Sequence, residues 1–143
     1  MTAIAEVKHD IAVRFLRTVP ILRIFDVEKA RDFYCGFLGF NVDWEHRFEA
    51  GLPLYMQISR GDLRMHLSEH HGDGSPGVHI FVEMTGVEDF HREVTAKGYR
   101  YMNPGLKDEF YGARSMNVTD PFGNRIGFNE FKEPREARAG ELR

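Results

Sequence analysis

Cysteine is almost missing from this chain: Cys35 is the single one among 143 residues. No internal disulfide can therefore brace the fold, and stability has to come from a buried core. Cys35 lies off the apolar stripe of its surroundings and reads as a bystander thiol. Long apolar runs are lacking as well. None approaches the ~20 residues of a membrane span, and Met1 to Asp10 has no apolar centre of the kind a secretory signal carries. The expectation is a cytoplasmic protein with no membrane partner. Nor is there a strong charge of either sign: 19 Lys and Arg against 22 Asp and Glu leave a net charge of −3. A binder of phosphate backbones shows a basic face, so nucleic acid is not an expected partner, and a cationic small ligand suits the balance better.

What is present is a hydrophobic content of 42% and an aromatic content of 13%, enough for one globular domain of ordinary size. Its sequence repeats. Val27-Glu28-Lys29-Ala30-Arg31-Asp32-Phe33-Tyr34, closing at Gly39-Phe40, returns as Val87-Glu88-Asp89-Phe90-His91-Arg92-Glu93-Val94, closing at Gly98-Tyr99. The turn Arg60-Gly61-Asp62 has its counterpart in Phe122-Gly123-Asn124. Two copies of one strand and helix unit, each too small to close its own core, have to pair. A cleft formed by their sheets is where a ligand would sit.

Residues 1–17 form an N-terminal arm whose pattern fits helix and strand equally. Thr18 to Ile24 reads as a strand, with Pro20 marking its start or a sheet edge because proline cannot donate to a ladder. Asp26 caps a helix with Val27, Ala30, Phe33, Tyr34, Phe37 and Leu38 on one face, ended by Gly39. Phe40 to Phe48, Pro53 to Ile58 and Leu63 to Glu69 alternate as three consecutive antiparallel strands. His70 to Gly77 is a linker rich in glycine. The second unit opens with a strand at Val78 to Glu83 and continues with a capping box at Thr85-Gly86-Val87-Glu88. Its helix turns Val87, Phe90 and Val94 inward. Strands follow near Tyr99 to Met102, Ala113 to Val118 and Asn124 to Phe131, with Gly123-Asn124 supplying the positive-φ residues of a tight hairpin. Residues 132–143 are a charged tail. The units thus divide as 18–70 and 78–131 of one domain.

Asp120-Pro121-Phe122-Gly123-Asn124-Arg125-Ile126, with Asp32-Phe33-Tyr34 and Leu38-Gly39-Phe40, resembles the vicinal oxygen chelate superfamily of glyoxalases, bleomycin resistance proteins and dioxygenases. The bleomycin resistance branch is the most similar. The resemblance implies an α+β fold of two βαβββ units with curved, mixed sheets, assembled as a domain-swapped or side-by-side homodimer. Metal-dependent members place ligands at positions that fall here on Val19, His66, His79 and Gly127, of which two can hold a metal.

The resemblance therefore leads to two functions. The first is sequestration of a cationic glycopeptide antibiotic of the bleomycin type in a groove between subunits, with no cofactor and no catalytic residue. Trp44, Phe48, His66, His79, Phe81, Phe110, Tyr111 and Gly112 are the expected ligand-binding residues. Asp108 and Glu109, neighbours of Tyr111, are expected to supply negative charge; Asp43, Glu45, Glu49, Glu69 and Asp73 are further acidic candidates. The alternative is a metal-dependent lyase, isomerase, thiol transferase or dioxygenase holding a divalent ion through His66 and His79, with Glu69 or Glu83 as an untypical third ligand. A third reading, a small-molecule binder that shares only the fold, stays open because fold does not fix function. For any single aromatic residue in these strands, core packing remains the simpler explanation.

Overall fold

The computed structural model describes residues 12–133, so the readings of arm residues 1–11 and tail residues 134–143 lie outside the described residues. Strand β1 (Ile21–Arg23) starts directly after Pro20, whose carbonyl accepts the His66 N–H at 2.9 Å. It lies at a sheet edge, as proline requires. Helix α1 (Val27–Arg31) begins at Asp26, whose side chain accepts the Lys29 N–H at 2.9 Å. It then widens into a π-helical stretch, Asp32–Phe37, in which the Leu38 N–H reaches back five residues to the Phe33 carbonyl. Ala30, Phe33, Tyr34, Phe37 and Leu38 are buried and Val27 is partly buried against them, the stripe the spacing predicts. Gly39 ends the helix at φ +78°, where a Cβ would also stand 2.6 Å from the Arg60 guanidinium.

Strands β2 (Asn41–His46), β3 (Tyr55–Arg60) and β4 (Leu63–Ser68) complete a first sheet in the order β1-β4-β3-β2, with β1 parallel to β4 and the others antiparallel. The second unit repeats this plan with β5 (His79–Glu83), helix α2 (Val87–Ala96), β6 (Leu106–Asp108), β7 (Ala113–Thr119) and β8 (Arg125–Phe131), in the order β5-β8-β7-β6. Side chains alternate across each strand. Met56, Ile58, Met65 and Leu67 point to the helix side of the first sheet and are fully buried, as are Met116, Val118, Ile126 and Phe128 on the second. One hydrophobic cluster unites both sets with the helices.

The units meet through their helix-bearing sides. The Tyr34 hydroxyl donates to Asp120 Oδ2 at 2.6 Å. Asp120 also accepts the N–H groups of Phe122 and Asn124 and the Asn124 side-chain amide. The same Asn124 amide reaches the Arg23 carbonyl at 3.0 Å. Burial, then the charge of Asp120, push the Tyr34 phenol well above its usual range. A second junction joins Arg60 to Glu93 through two bonds of 2.7 and 2.8 Å, with the guanidinium 4.9 Å over the Phe90 ring. Phe37 stacks on Tyr99 beside it.

Three local expectations are corrected. No strand forms at Tyr99 to Met102: Tyr99 turns inward onto Phe37, and pairing with β7 begins only at Leu106. Thr85 does not cap α2. The N-cap is Gly86 at φ +84° with no side chain to offer, and the Glu130 carboxylate, arriving from β8, accepts the N–H groups of Gly86 and Val87 at 3.0 Å each. Asn124 is not a positive-φ residue; only Gly123 is, in a connection spanning 120–124. Its amide is committed to Asp120 and Arg23 instead.

Candidate ligand site

On the face of the first sheet turned away from α1, the odd-numbered residues of β3 stand beside β2 and β4. A register shift between Val42 and Trp44 in β2 brings both Asp43 and Trp44 to this face. Trp44 lies nearly parallel to Tyr55, centroids 6.0 Å apart and planes 10° apart, with His66 edge-on to both rings. Trp44 remains 43% exposed. Beyond it a cavity of about 430 Å³ is lined by Trp44, His46, Phe48, Tyr55, His70 and Asp73.

A chain of hydrogen bonds fixes His66. Asp43 accepts from Ser59 Oγ (2.9 Å) and Gln57 Nε2 (3.0 Å), and both bonds hold its carboxyl below the usual carboxylate range. With its amide nitrogen so engaged, Gln57 turns its carbonyl oxygen to His66 Nε2 at 3.0 Å. Nε2 therefore carries the proton, and Nδ1 accepts the Tyr55 hydroxyl at 2.7 Å. Burial lowers the His66 pKa, the direction that favours the neutral ring this network requires.

The second sheet carries its own group on the face away from α2. Phe81, Tyr111 and Phe131 lie with centroids 5.9 to 6.2 Å apart, and Phe110 stands edge-on to Tyr111, almost fully exposed. Tyr111 donates to the buried Asn129 at 2.7 Å, and burial followed by the Glu109 charge raises its phenol pKa. Gly112 makes the turn into β7 at φ +90°. The glycine in β8 has a spatial reason: a Cβ on Gly127 would stand 2.8 Å from Asn117 Oδ1 and 3.5 Å from His79 Nε2. Those two side chains fill the space a larger residue would need. Glu109 accepts the Ser115 hydroxyl, and Asp108 is bound to Arg114, which also pairs with Glu88. Arg114 keeps the Asp108 carboxyl low and offsets its charge.

Trp44, Phe48 and His66 thus gather on one sheet, and His79, Phe81, Phe110 and Tyr111 on the other. Among the described residues no hydrogen bond, ion pair or ring contact links the two groups. Tyr55, Gln57, His46 and His70 were not singled out from sequence. The alternation of Tyr55, Gln57 and Ser59 against Met56 and Ile58 was the available signal.

The residues at the positions of family metal ligands do not fit a catalytic divalent ion. Val19 and Gly127 offer no donor, and His66 has its acceptor nitrogen occupied by Tyr55. Glu69 is committed to the Leu54 N–H at 2.9 Å. Among the described residues no three His, Cys, Asp or Glu side chains converge on one point, where catalytic sites use three protein ligands.

These faces and this topology define a class: a two-unit α+β sheet protein whose helix-free faces carry exposed aromatic groups. A family model described as glyoxalase superfamily protein matches residues 3–135, and the chain belongs to that superfamily. It is similar to the bleomycin resistance proteins of Geobacillus stearothermophilus and Staphylococcus aureus, 28% identical over 131 residues that cover 79% of this chain and 95% of theirs. Among solved structures it is similar to the bleomycin-binding protein of the bleomycin producer Streptomyces verticillus, determined with copper(II)-bleomycin. That likeness has 28% identity and a TM-score of 0.63 over 85% of this chain and 99% of that one. Another bleomycin-binding protein, determined with bleomycin, shares the fold at 21% identity and a TM-score of 0.64, covering 82% of this chain and all of the other.

Proposed function

We propose that this protein binds a bleomycin-type antibiotic and withholds it from its target without chemical change. The observation that carries the reading is the open Trp44 and Tyr55 pair, a flat aromatic platform on a sheet face, in a chain similar to proteins named for bleomycin binding. Planar heteroaromatic rings stack on such a platform, where offset aromatic contacts contribute about 0.5–1.5 kcal/mol each beyond the area they bury. Sequestration needs affinity alone, and the hydrogen-bonded, neutral His66 serves as a wall of the site.

The second wall is the Phe81, Phe110 and Tyr111 group. Because the two groups lie on different sheets of one chain, the groove forms when a second copy sets its second sheet against the first sheet of this one. The exposure of Phe81 (51%), Phe110 (99%) and Phe15 (95%) supports such a homodimer. The test is calorimetric titration with bleomycin, metal-free and copper-loaded, together with sedimentation to read the oligomeric state. Saturable binding by a dimer is expected, and Trp44→Ala and Tyr111→Ala should each weaken it by about 1–3 kcal/mol. Absence of binding, or two variants that bind as tightly as the parent, would refute the reading.

A further inference from the structure

The cavity beside Trp44 shares Trp44 and Tyr55 with the stacking platform. Its walls are three aromatic rings, Trp44, Tyr55 and Phe48, and two imidazoles, His46 and His70; its one carboxylate is Asp73. Phe48 stands edge to face against His46 (4.8 Å, 84°) and His70 (6.2 Å, 88°). At about 430 Å³ the space lies near the bottom of the range for small-ligand sites, about 300–1,000 Å³. It has room for the end of a ligand and not for a whole glycopeptide.

Asp73 is built into this wall. Its Oδ2 accepts the hydroxyl of the fully buried Ser68 at 2.7 Å, the same hydroxyl accepts the His70 N–H at 3.0 Å, and the Asp73 N–H donates to the His70 carbonyl at 3.1 Å. The loop is thereby pinned to the end of β4. Among the described residues no Lys, Arg or His pairs with this carboxylate. Arg23, the register partner of Ser68, donates to the His71 carbonyl and covers Phe25 without an ion pair to Asp73; Arg31 pairs with Glu45, and Arg47 donates to Leu52 and lies 3.8 Å from Glu69. Burial, and after it the negative charge of Asp73, raises the Tyr55 phenol pKa.

We infer that this cavity is a cage for an alkylammonium group, with Trp44, Tyr55 and Phe48 presenting their rings to the cation and Asp73 supplying the opposing charge. The negative face of an aromatic ring attracts a cation, and an uncompensated carboxylate at the rim selects it over a neutral group of the same shape. The inference rests on the ligand-binding reading above, and it assigns the cage to the cationic end of the bound molecule, apart from the rings that stack on Trp44.

Trp44 is the only tryptophan in the chain, so its fluorescence reports on the cage directly. The intact protein is titrated at constant ionic strength with choline and, separately, with the neutral isostere 3,3-dimethylbutan-1-ol. Choline is expected to give a saturable change at least about tenfold tighter than the alcohol. Asp73→Asn, which keeps an acceptor for Ser68, should remove most of that preference, and Phe48→Leu, at a side chain already 73% exposed, should weaken choline about fivefold or more with the circular dichroism unchanged. Equal affinity for the alcohol, no saturable response to choline, or an Asp73→Asn variant that keeps the full preference would overturn the cage. Bleomycin binding without a choline response would reject the cage alone. A choline response without bleomycin binding would reject the antibiotic reading alone.

Discussion

At the scale of single residues, Tyr55, Gln57 and Asp43 tie His66, a possible metal ligand by its position, into a chain of hydrogen bonds. The chain of donors and acceptors leaves its imidazole one allowed tautomer, protonated on Nε2. Nitrogen-resolved NMR is expected to show that tautomer at neutral pH, with a midpoint below the ordinary value of about 6.5. The sign for stability follows. The folded value is the lower one, so on acidification the unfolded chain takes up the proton first. The contribution of His66 is complete above about pH 6.5 and is lost as the pH falls below it. A midpoint at or above the ordinary value would contradict the network. His66 and Trp44 enter from sequence through the family resemblance, as expected ligand-binding positions, and strand alternation with the register shift in β2 sets their outward face. In sequence Asp73 is one acidic candidate among several and His70 a linker residue, because only the return of their loop onto Ser68 brings them to the aromatic rings, and no local pattern encodes that.

At the scale of elements, the clearest lesson is the start of α2. Thr85-Gly86-Val87-Glu88 has the composition of a capping box, yet the first free N–H groups are met by Glu130, 43 residues from Val87 in sequence. Glu130→Ala is expected to cost about 0.5–2 kcal/mol, the range for losing a cap, read by chemical denaturation, whereas Thr85→Ala should change little. The reverse order would restore the box. The stripe of α1 was legible because five buried positions repeat at helical spacing, and its π-helical widening keeps all of them inward. The sixth strand is displaced because Tyr99 and Tyr101 alternate like a strand, whereas the Tyr99 ring stacks on Phe37 at 4.7 Å.

At the scale of the whole molecule, the repeat in sequence becomes a pairing of two units back to back, and the Asp120 motif is the fastener. Four bonds to one carboxylate, one of them from a buried phenol across the junction, explain why that turn carries aspartate and asparagine together. Tyr34→Phe should lower unfolding stability by about 1.5–3 kcal/mol, as for a buried bond to a charged group, without altering bleomycin affinity, because Asp120 lies on the helix-bearing side. Equilibrium unfolding and the titration above would both be measured. A loss of affinity equal to the loss of stability would mean that the junction and the ligand faces are coupled.

The two-residue alternation along β3 and β4 has a consequence for how such a chain can change over time. Met56, Ile58, Met65 and Leu67 maintain the interior, while Tyr55, Gln57, Ser59 and His66 look outward from the same strands. Selection for a different guest molecule can rewrite the outward set one position at a time and leave the interior intact. Drift in specificity and retention of the fold are therefore inherited on separate, interleaved letters of the same short segment.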